Sequence, residues 1–276
     1  MNKLKKILIK TKKQIFSAIS GNNPSIFEGE GFDFVELREY TYGDDVRKID
    51  WNVTARKQKP FIKIFKEERE LNIVIISLLG GSVHFGQKKF KQELIAESVA
   101  LLAFSAVKNG DLFSSFIYTD KIDSFIRPTK NIHAVSSAVR DVLEFDSLGK
   151  SVDLKDFSKT IFDKIKKKSI IFVIGDYFEE FDFKLLSKKH EVVALLTRDK
   201  LEENPPEFGS ISLIDPQNLE ENIMQIDKNS IQKYIKTLHQ KDSNLFKHFR
   251  KNQVAFTKIY TDEDPFVKMS KLFLRR

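Results

Sequence analysis

Two places in the sequence put chemically useful residues at the end of a long apolar run. Residues 73–79 are almost continuously apolar and lead into a loop of small residues at 80–82, and residues 170–174 lead into Gly175 and Asp176. Such runs are typical of strands buried on both faces of a parallel sheet, and ligands bind beyond the carboxyl ends of those strands. We therefore expect Asp176 to reach the same crevice as the small-residue loop, unless it only caps a turn.

Arginines and aspartates are interspersed between residues 38 and 56. They are Arg38, Asp44, Asp45, Arg47, Asp50 and Arg56. Bidentate arginine–carboxylate pairs would lock an irregular segment, with Tyr40 and Trp51 anchoring it to a core. The same residue types are favoured at binding hot spots, so a docking surface is the second interpretation. A carboxylate cluster for metal or hydrolysis is the third, although adjacent carboxylates in a turn usually point apart.

Motifs of common enzyme classes are missing from the sequence. It has no Gly-x-x-x-x-Gly-Lys-Ser/Thr loop, no Gly-x-Gly-x-x-Gly after a strand and no Gly-x-Ser-x-Gly elbow. Cysteine is absent, which excludes disulfides, thiolate zinc sites and cysteine nucleophiles. The histidines are not paired at metal-ligand spacing; they stand at positions 84, 133, 190, 239 and 248. We therefore expect a non-enzymatic protein without catalytic residues.

Composition describes a folded protein with a basic surface. The 276 residues are 41% hydrophobic and 31% charged, include 25 Phe and carry a net charge of +8. The charge fits a lysine-rich solvated surface, or else an acidic partner, a membrane surface or nucleic acid. Residues 2–20 have the spacing of a basic amphipathic helix, which can lie on a membrane or, as we favour, pack on its own domain.

No signal-peptide core or span of ~20 apolar residues is visible, so we expect a cytoplasmic protein, with attachment to a membrane surface as the open alternative.

Hydrophobic spacing predicts strands alternating with helices from residue 72 onward. Strands are predicted at 61–68, 73–79, 112–118, 122–126, 170–174, 191–196, 211–214 (an edge strand) and 254–260. Helices are predicted at 2–20, 50–57, 90–108, 131–145, 156–167, 183–188, 231–250 and 265–274, with a loop at 202–206. Strands 112–118 and 122–126 should form a hairpin. This alternation favours a mostly parallel sheet with helices on both faces.

Residues 29–56 closely resemble the signature of the bacterial domain of unknown function 58 family. The signature reads Gly-x-Gly, then Arg-x-Tyr-x-x-Gly-Asp-Asp-x-Arg-x-Ile-Asp-Trp, then Thr/Ser-Ala-Arg. The matching residues are Arg38, Tyr40, Gly43, Asp44, Asp45, Arg47, Ile49, Asp50, Trp51, Thr54, Ala55 and Arg56. The similarity extends over nearly the whole chain through shorter matches at 67–69, 109–111, 175–177 and 213–216.

The resemblance implies an α/β fold with a von Willebrand factor A-like (Rossmann-like), mostly parallel sheet flanked by helices. It places this domain at 71–276, after a smaller irregular region at 1–70 that holds the N-terminal helix and the signature. It also implies association with MoxR-type AAA+ ATPases in the assembly, maturation or metal loading of other proteins, or in stress tolerance. No enzymatic activity is established for the family.

The sequence departs from the family pattern at the end of the first sheet strand. Many relatives carry Asp-x-Ser-x-Ser-Met there, the start of a metal-ion-dependent adhesion site, but Leu78, Gly80 and Ser82 stand at the three ligand positions. Leu78 offers no oxygen and Gly80 only its backbone, whereas Mg²⁺ needs hard oxygen ligands in near-octahedral geometry. Asp176 remains, with Thr129 as a candidate neighbour. We therefore expect no metal and no cofactor at this degenerate site.

Three functions follow as hypotheses from these observations. The first is a non-enzymatic adaptor or co-chaperone that binds a MoxR-type AAA+ ATPase and a client protein. The second is a protein that binds nucleic acid or an anionic membrane through its basic first helix. The third, a metal-dependent hydrolase, would require Mg²⁺ or Mn²⁺ affinity that depends on Asp176.

Overall fold

The computed structural model describes residues 2–20, 34–65, 70–179 and 182–274. Its helices are α1 (Lys3–Ser20), α2 (Trp51–Lys57), α3 (Lys91–Lys108), α4 (Ile132–Glu144), α5 (Phe157–Lys164), α6 (Lys184–Ser187), α7 (Lys200–Glu203), α8 (Lys228–Lys251) and α9 (Pro265–Phe273). Its strands are β1 (Phe34–Glu39), β2 (Phe61–Phe65), β3 (Asn72–Leu78), β4 (Leu112–Tyr118), β5 (Ile122–Thr129), β6 (Ile170–Gly175), β7 (Glu191–Arg198), β8 (Gly209–Ile214), β9 (Glu221–Ile226) and β10 (Ala255–Tyr260). Short 3₁₀ turns occupy Val46–Lys48 and Gly81–His84.

The chain forms two compact units, which are described separately. The smaller unit spans 28–70, and the larger one combines 1–27 with 71–276. The division expected from the sequence was 1–70 and 71–276 instead. The two divisions differ at the N-terminus, because α1 packs against α3 and α4 of the larger unit.

A six-stranded sheet organises the described part of the larger unit. Its strand order is β10-β7-β6-β3-β4-β5, and every neighbouring pair is parallel except β4 and β5. Counted from β3, this is the doubly wound order 3-2-1-4-5-6, in which the switch point lies between the first and fourth strands. Those strands are β3 and β6, the two apolar runs singled out in the sequence. The predicted fold class is confirmed, and so is the hairpin formed by β4 and β5.

The two faces of the sheet carry separate cores because side chains alternate along each strand. On β3, Ile73 and Ile75 face a core built with α1, α3, α4 and α9. Val74 and Ile76 face a second core built with α5, α6 and α8. All four side chains are buried. A strand covered on both faces has no polar side to present, which explains its unbroken apolar run.

Helix α1 uses its apolar face for the core of its own unit. Ile7 and Ile15 are buried, and Leu4 and Leu8 pack beside them. The polar face makes ion pairs, including one of 2.6 Å between the Lys3 ammonium and a Glu93 carboxylate oxygen. The preferred interpretation of this helix, packing on its own domain, is therefore confirmed. No helix in the described ranges is both long and apolar enough to cross a membrane.

One local prediction was confirmed and another was wrong. The predicted edge strand at 211–214 belongs to β8, which pairs with β9 in a two-stranded sheet separate from the main sheet. Most side chains of both strands are exposed, so neither has the continuous apolar pattern of the central strands. Residues 202 and 203, predicted as loop, end the short helix α7, which a capping box between Asp199 and Glu202 starts.

His190 provides a test of the packing beneath β7. Its imidazole is buried, neither ring nitrogen has a hydrogen-bond partner among the residues that the structure describes, and burial lowers its pKa. The unfolded chain therefore takes up a proton more readily than the folded chain. Above the pKa that His190 has in the unfolded chain, the imidazole is neutral in both states and the folded state keeps its full stability. This contribution is lost as the pH falls through the lower pKa that His190 has in the folded chain.

We expect urea denaturation to show that wild-type protein loses stability as the pH falls from about 7.5 to 5.5, around the ordinary histidine pKa of ~6.5. The His190→Leu variant should lose less over the same interval. Replacing the exposed His239 with leucine should leave the wild-type profile unchanged. Identical profiles for wild type and His190→Leu would contradict this account.

Candidate functional site

The family-signature residues lie on the connection between the two paired strands of the smaller unit. Strands β1 and β2 are antiparallel, and the chain between them is fixed to β2 by a hydrogen bond of 2.8 Å from the Asp50 amide to the Phe61 carbonyl. The Tyr40 amide similarly donates to the Pro60 carbonyl at 2.8 Å. Gly43 has a φ of +106°, a left-handed conformation that suits glycine.

Asp44 closes the first turn of this connection, together with Arg38. Its carboxylate accepts from the Arg38 guanidinium at 2.8 Å, and also from the Thr41 amide and the Thr41 hydroxyl, each at 2.8 Å. The hydrogen bonds from Thr41, and then the Arg38 guanidinium, hold the pKa of Asp44 below its ordinary value. Arg38 is thus paired with one of the three aspartates expected as its partners, and this pair rigidifies a segment that has no strand ladder.

Asp45 and Asp50 each begin a helical turn. Asp45 accepts from the Arg47 amide at 3.0 Å and forms a bidentate pair with the Arg47 guanidinium, with distances of 3.0 and 2.9 Å. Asp50 caps α2 by accepting from the amides of Asn52 at 3.0 Å and Val53 at 3.3 Å, as its position predicted. These carboxylates therefore have separate structural partners. The described residues contain no group of three or more His, Cys, Asp or Glu that could hold a metal ion.

The large side chains of the connection point mostly outward. Trp51 is 69% exposed, Tyr42 is fully exposed, and Val46 is 57% exposed. The prediction that Trp51 anchors the segment to a core is therefore wrong, whereas Tyr40 is half-buried. The order of the segment comes instead from ion pairs, helix caps and a 3.1 Å hydrogen bond from the Phe61 amide to the Thr54 hydroxyl. We call the exposed residues Tyr42, Val46, Arg47 and Trp51 the signature face.

Arg56 takes no part in the ion pairs predicted for it. It lies exposed near the end of α2 and pairs with no described residue. Because Asp50 caps α2, its carboxylate is directed to backbone amides. A basic residue in the last turn still suits the negative end of the helix dipole.

The second candidate site lies at the switch point of the larger unit. Leu78 ends β3 next to Gly175 of β6, so close that a Cβ added to Gly175 would lie 2.8 Å from the Leu78 Cβ. Ser82, in the turn that follows, lies close enough to Asp176 for its hydroxyl to lower the pKa of that carboxylate. The structure therefore brings together Leu78, Gly80, Ser82 and Asp176, as the strand-end argument predicted.

A buried lysine, Lys91, occupies the centre of this site. It is the first residue of α3 and is fully buried. Its ammonium lies 3.0 Å from an Asp176 carboxylate oxygen and 2.5 Å from a Glu202 carboxylate oxygen. The Phe178 ring covers the ammonium, with 5.0 Å between the nitrogen and the ring centroid.

The charged network continues toward β10 through Arg198. The Arg198 guanidinium donates to the backbone carbonyl of Asp176 and, at 3.1 Å, to the Asp242 carboxylate. Asp242 also accepts from the Lys258 ammonium at 2.8 Å, and Lys258 reaches Glu203 at 2.5 Å. Acidic and basic groups thus alternate along the carboxyl edge of the sheet, which compensates their desolvation.

Asp176 and Glu202, the two acidic partners of Lys91, have pKa values that are shifted in opposite directions. Burial alone would raise the pKa of Asp176, but the Lys91 ammonium, the Ser82 hydroxyl and Arg198 together hold that pKa below its ordinary value. Burial dominates at Glu202 and raises its pKa despite the contact with Lys91. Asp176 is therefore the better-stabilised carboxylate of the two.

These residues do not fit the magnesium ion of a metal-ion-dependent adhesion site. The Leu78 side chain brings hydrocarbon to the first ligand position, and the ammonium of Lys91 already contacts both nearby carboxylates. Thr129 does not complete the site either. It pairs with Phe113 at the start of β4, which places it at the opposite end of the parallel strands from Asp176, because β5 runs antiparallel.

Three residues of this site, Lys91, Arg198 and Glu202, were not predicted from the sequence. The spacing Asp199-x-x-Glu202 is a recognisable capping-box signal and could have placed Glu202 on a helix. No comparable signal marks Lys91, which lies among other lysines at 88 and 89. Its burial is decided by tertiary packing of α3 over the sheet edge.

Comparison with known proteins identifies distant relatives of this chain. It is 21% identical over 222 residues to uncharacterized proteins of Mycobacterium bovis and Mycobacterium tuberculosis, covering 78% of this chain and 70% of each relative.

Among solved structures, the conserved hypothetical protein BatB from Bacteroides thetaiotaomicron aligns with a TM-score of 0.45 and 8% identity, over 74% of this chain and 98% of that one. An aerotolerance-related membrane protein from Bacteroides fragilis aligns with a TM-score of 0.44 and 10% identity, over 74% and 97%. The model of the family described as protein of unknown function DUF58 matches residues 36–244, from the signature segment into α8. The chain therefore belongs to the DUF58 family.

Proposed function

We propose that this protein is a non-enzymatic adaptor or co-chaperone that binds a MoxR-type AAA+ ATPase through its signature face. In this role it would help the ATPase act on a client during protein assembly, maturation or the response to stress. The observation that carries the proposal is the exposure of Trp51, Tyr42 and Arg47 on a segment held by ion pairs and helix caps.

The rigidity of the signature face supports a docking role. A side chain that is already ordered loses little conformational entropy on binding, and tryptophan, tyrosine and arginine carry much of the energy at protein interfaces. The indole of Trp51 buries a large apolar area when covered. A partner groove with apolar walls and an acidic rim would suit Trp51 together with the basic groups of α2.

A non-enzymatic role is supported by the state of the acidic residues. Asp44, Asp45 and Asp50 are each engaged in a structural contact, and Asp176 is paired with Lys91. A general base or nucleophile must instead be within reach of a substrate. The proposed function uses Asp44, Asp45 and Asp50 to hold the signature face in shape.

Binding to a purified MoxR-type ATPase from the same organism tests the proposal. We expect wild-type protein to form a complex and to change the ATP hydrolysis rate, and Trp51→Ala to weaken binding at least about tenfold, as for a hot spot of ~2 kcal/mol. Calorimetry and ATPase assays measure the two effects. Because Trp51 is exposed, the variant should keep the wild-type melting temperature.

Phe208→Ala provides the matched control, because Phe208 is a half-exposed aromatic residue in the larger unit. It should bind like the wild type. The proposal is wrong if no complex forms and the ATPase rate does not change, or if Trp51→Ala binds as tightly as the wild type.

A further inference from the structure

Lys91 holds a position that opposes the ordinary preferences of a lysine. Its ammonium is fully buried, and desolvating a lone ammonium costs several kcal/mol. It also lies at the first residue of α3, where the positive end of the helix dipole repels a cation. Two carboxylates therefore have to compensate for both effects, and Asp176 and Glu202 contact the ammonium directly.

The contacts around Lys91 join separate elements of the larger unit. Asp176 follows β6, Glu202 belongs to α7, and Ser82, in the turn after β3, lies close to Asp176. One positive charge thus connects the switch-point strands with two helices. In proteins a divalent cation can join elements in the same way, through oxygen ligands from several of them.

From this arrangement we infer that the Lys91 ammonium is a built-in substitute for a divalent cation at the switch point. It neutralises the Asp176–Glu202 pair and makes this edge of the sheet independent of metal. The remaining ligand positions agree, because Leu78 and Gly80 bring no side-chain oxygen toward an ion. The inference goes beyond the proposed docking function and does not depend on it.

The charge balance supports the inference that Lys91 takes the place of a divalent cation. Over the connected network, four carboxylates are balanced by three cations, which leaves one negative charge. The carboxylates are those of Asp176, Glu202, Asp242 and Glu203, and the cations are Lys91, Arg198 and Lys258. A divalent ion added to this group would leave an excess of positive charge in a buried site. Removing the Lys91 ammonium takes away one positive charge instead. It leaves the Asp176 and Glu202 carboxylates facing the space that the ammonium occupied.

Manganese binding to wild type and to Lys91→Ala tests the inference. Wild-type protein should bind no Mn²⁺ by calorimetry and should keep its melting temperature in Mg²⁺, Mn²⁺ or EDTA. Lys91→Ala should melt roughly 6–20 °C lower, as expected when a buried ion pair loses one partner. Mn²⁺ should then bind to the variant and raise its melting temperature, because a ligand of the folded state stabilises it.

Two further variants serve as controls. Lys200→Ala removes a lysine from an exposed pair with Asp262 and should change the melting temperature little. Lys91→Ala/Glu202→Gln removes one positive and one negative charge, so it should melt higher than Lys91→Ala and lose the Mn²⁺ effect. This double variant also keeps the test usable if Lys91→Ala does not fold.

Three outcomes would overturn the inference. The first is Mn²⁺ binding by wild-type protein that disappears in Asp176→Asn, which would make the edge a metal site despite Lys91. The second is a Lys91→Ala variant as stable as Lys200→Ala. The third is a folded Lys91→Ala variant that binds no Mn²⁺. None of these results bears on binding to the ATPase, so the two proposals can fail separately.

Discussion

Replacing Arg198 with methionine is expected to lower the free energy of unfolding by about 3–5 kcal/mol, one of the largest effects of any single substitution in this chain. The guanidinium is buried and joins the Asp176 backbone carbonyl to the Asp242 carboxylate. Methionine fills similar space but supplies no donors. It leaves the carbonyl unpaired and removes one of the two cations that contact Asp242, the other being Lys258.

Urea denaturation at neutral pH measures this loss. Arg250→Met is the matched control, because Arg250 is exposed near the end of α8, and its replacement should change stability by no more than about 0.5 kcal/mol. If Arg198→Met were as stable as Arg250→Met, the charged network would contribute nothing to the folded state.

Gly81→Ala is expected to cost about 3 kcal/mol through a backbone collision. A Cβ at position 81 would lie 1.8 Å from the Pro216 carbonyl oxygen, far inside van der Waals contact. That oxygen also accepts a hydrogen bond of 2.9 Å from the Gly149 amide, while the Gly81 amide donates to the Lys150 carbonyl at 2.8 Å. The substitution therefore separates three loops that meet beside the switch point.

Gly80→Ala separates this collision from a general effect of losing glycine. Its Cβ would meet the movable Val152 side chain at 3.0 Å and the Lys150 carbonyl oxygen at 3.3 Å, a contact that a shift of a few tenths of an ångström relieves. We expect a loss of about 1 kcal/mol or less, measured by the same urea titration. Equal losses for the two variants would show that the contact with Pro216 is not the cause.

The sequence predicted the parts of the fold and site that depend on local pattern. The apolar runs of β3 and β6 identified the central strands, and the strand-end rule brought Ser82 and Asp176 together correctly. The capping role of Asp50 also followed from its position, and the pairing of Arg38 and Arg47 with nearby aspartates followed from the alternating charges. Apart from the meeting of Ser82 and Asp176, which rests on the direction of parallel strands, the physical determinant lies within a few residues of the chain.

The remaining features depend on contacts between distant residues. Lys91 and Glu202 are separated by 111 positions, and no local pattern reveals that their side chains meet in a buried site. Thr129 was placed near Asp176 although the antiparallel direction of β5 carries it to the other end of the sheet. Trp51 was expected to be buried because it is large and apolar, but the ion pairs and caps around it order the segment without its burial.

Helix α1 has a consequence for the order in which the chain folds during synthesis. It is synthesised before its main partner, α3, which begins at Lys91 and follows the whole smaller unit. A contact across so long a loop costs only about 0.6 kcal/mol more for each doubling of length, but it forms slowly because distant segments must meet. Helix α1 therefore waits with Ile7 and Ile15 uncovered, and it docks only after α3 has also been synthesised.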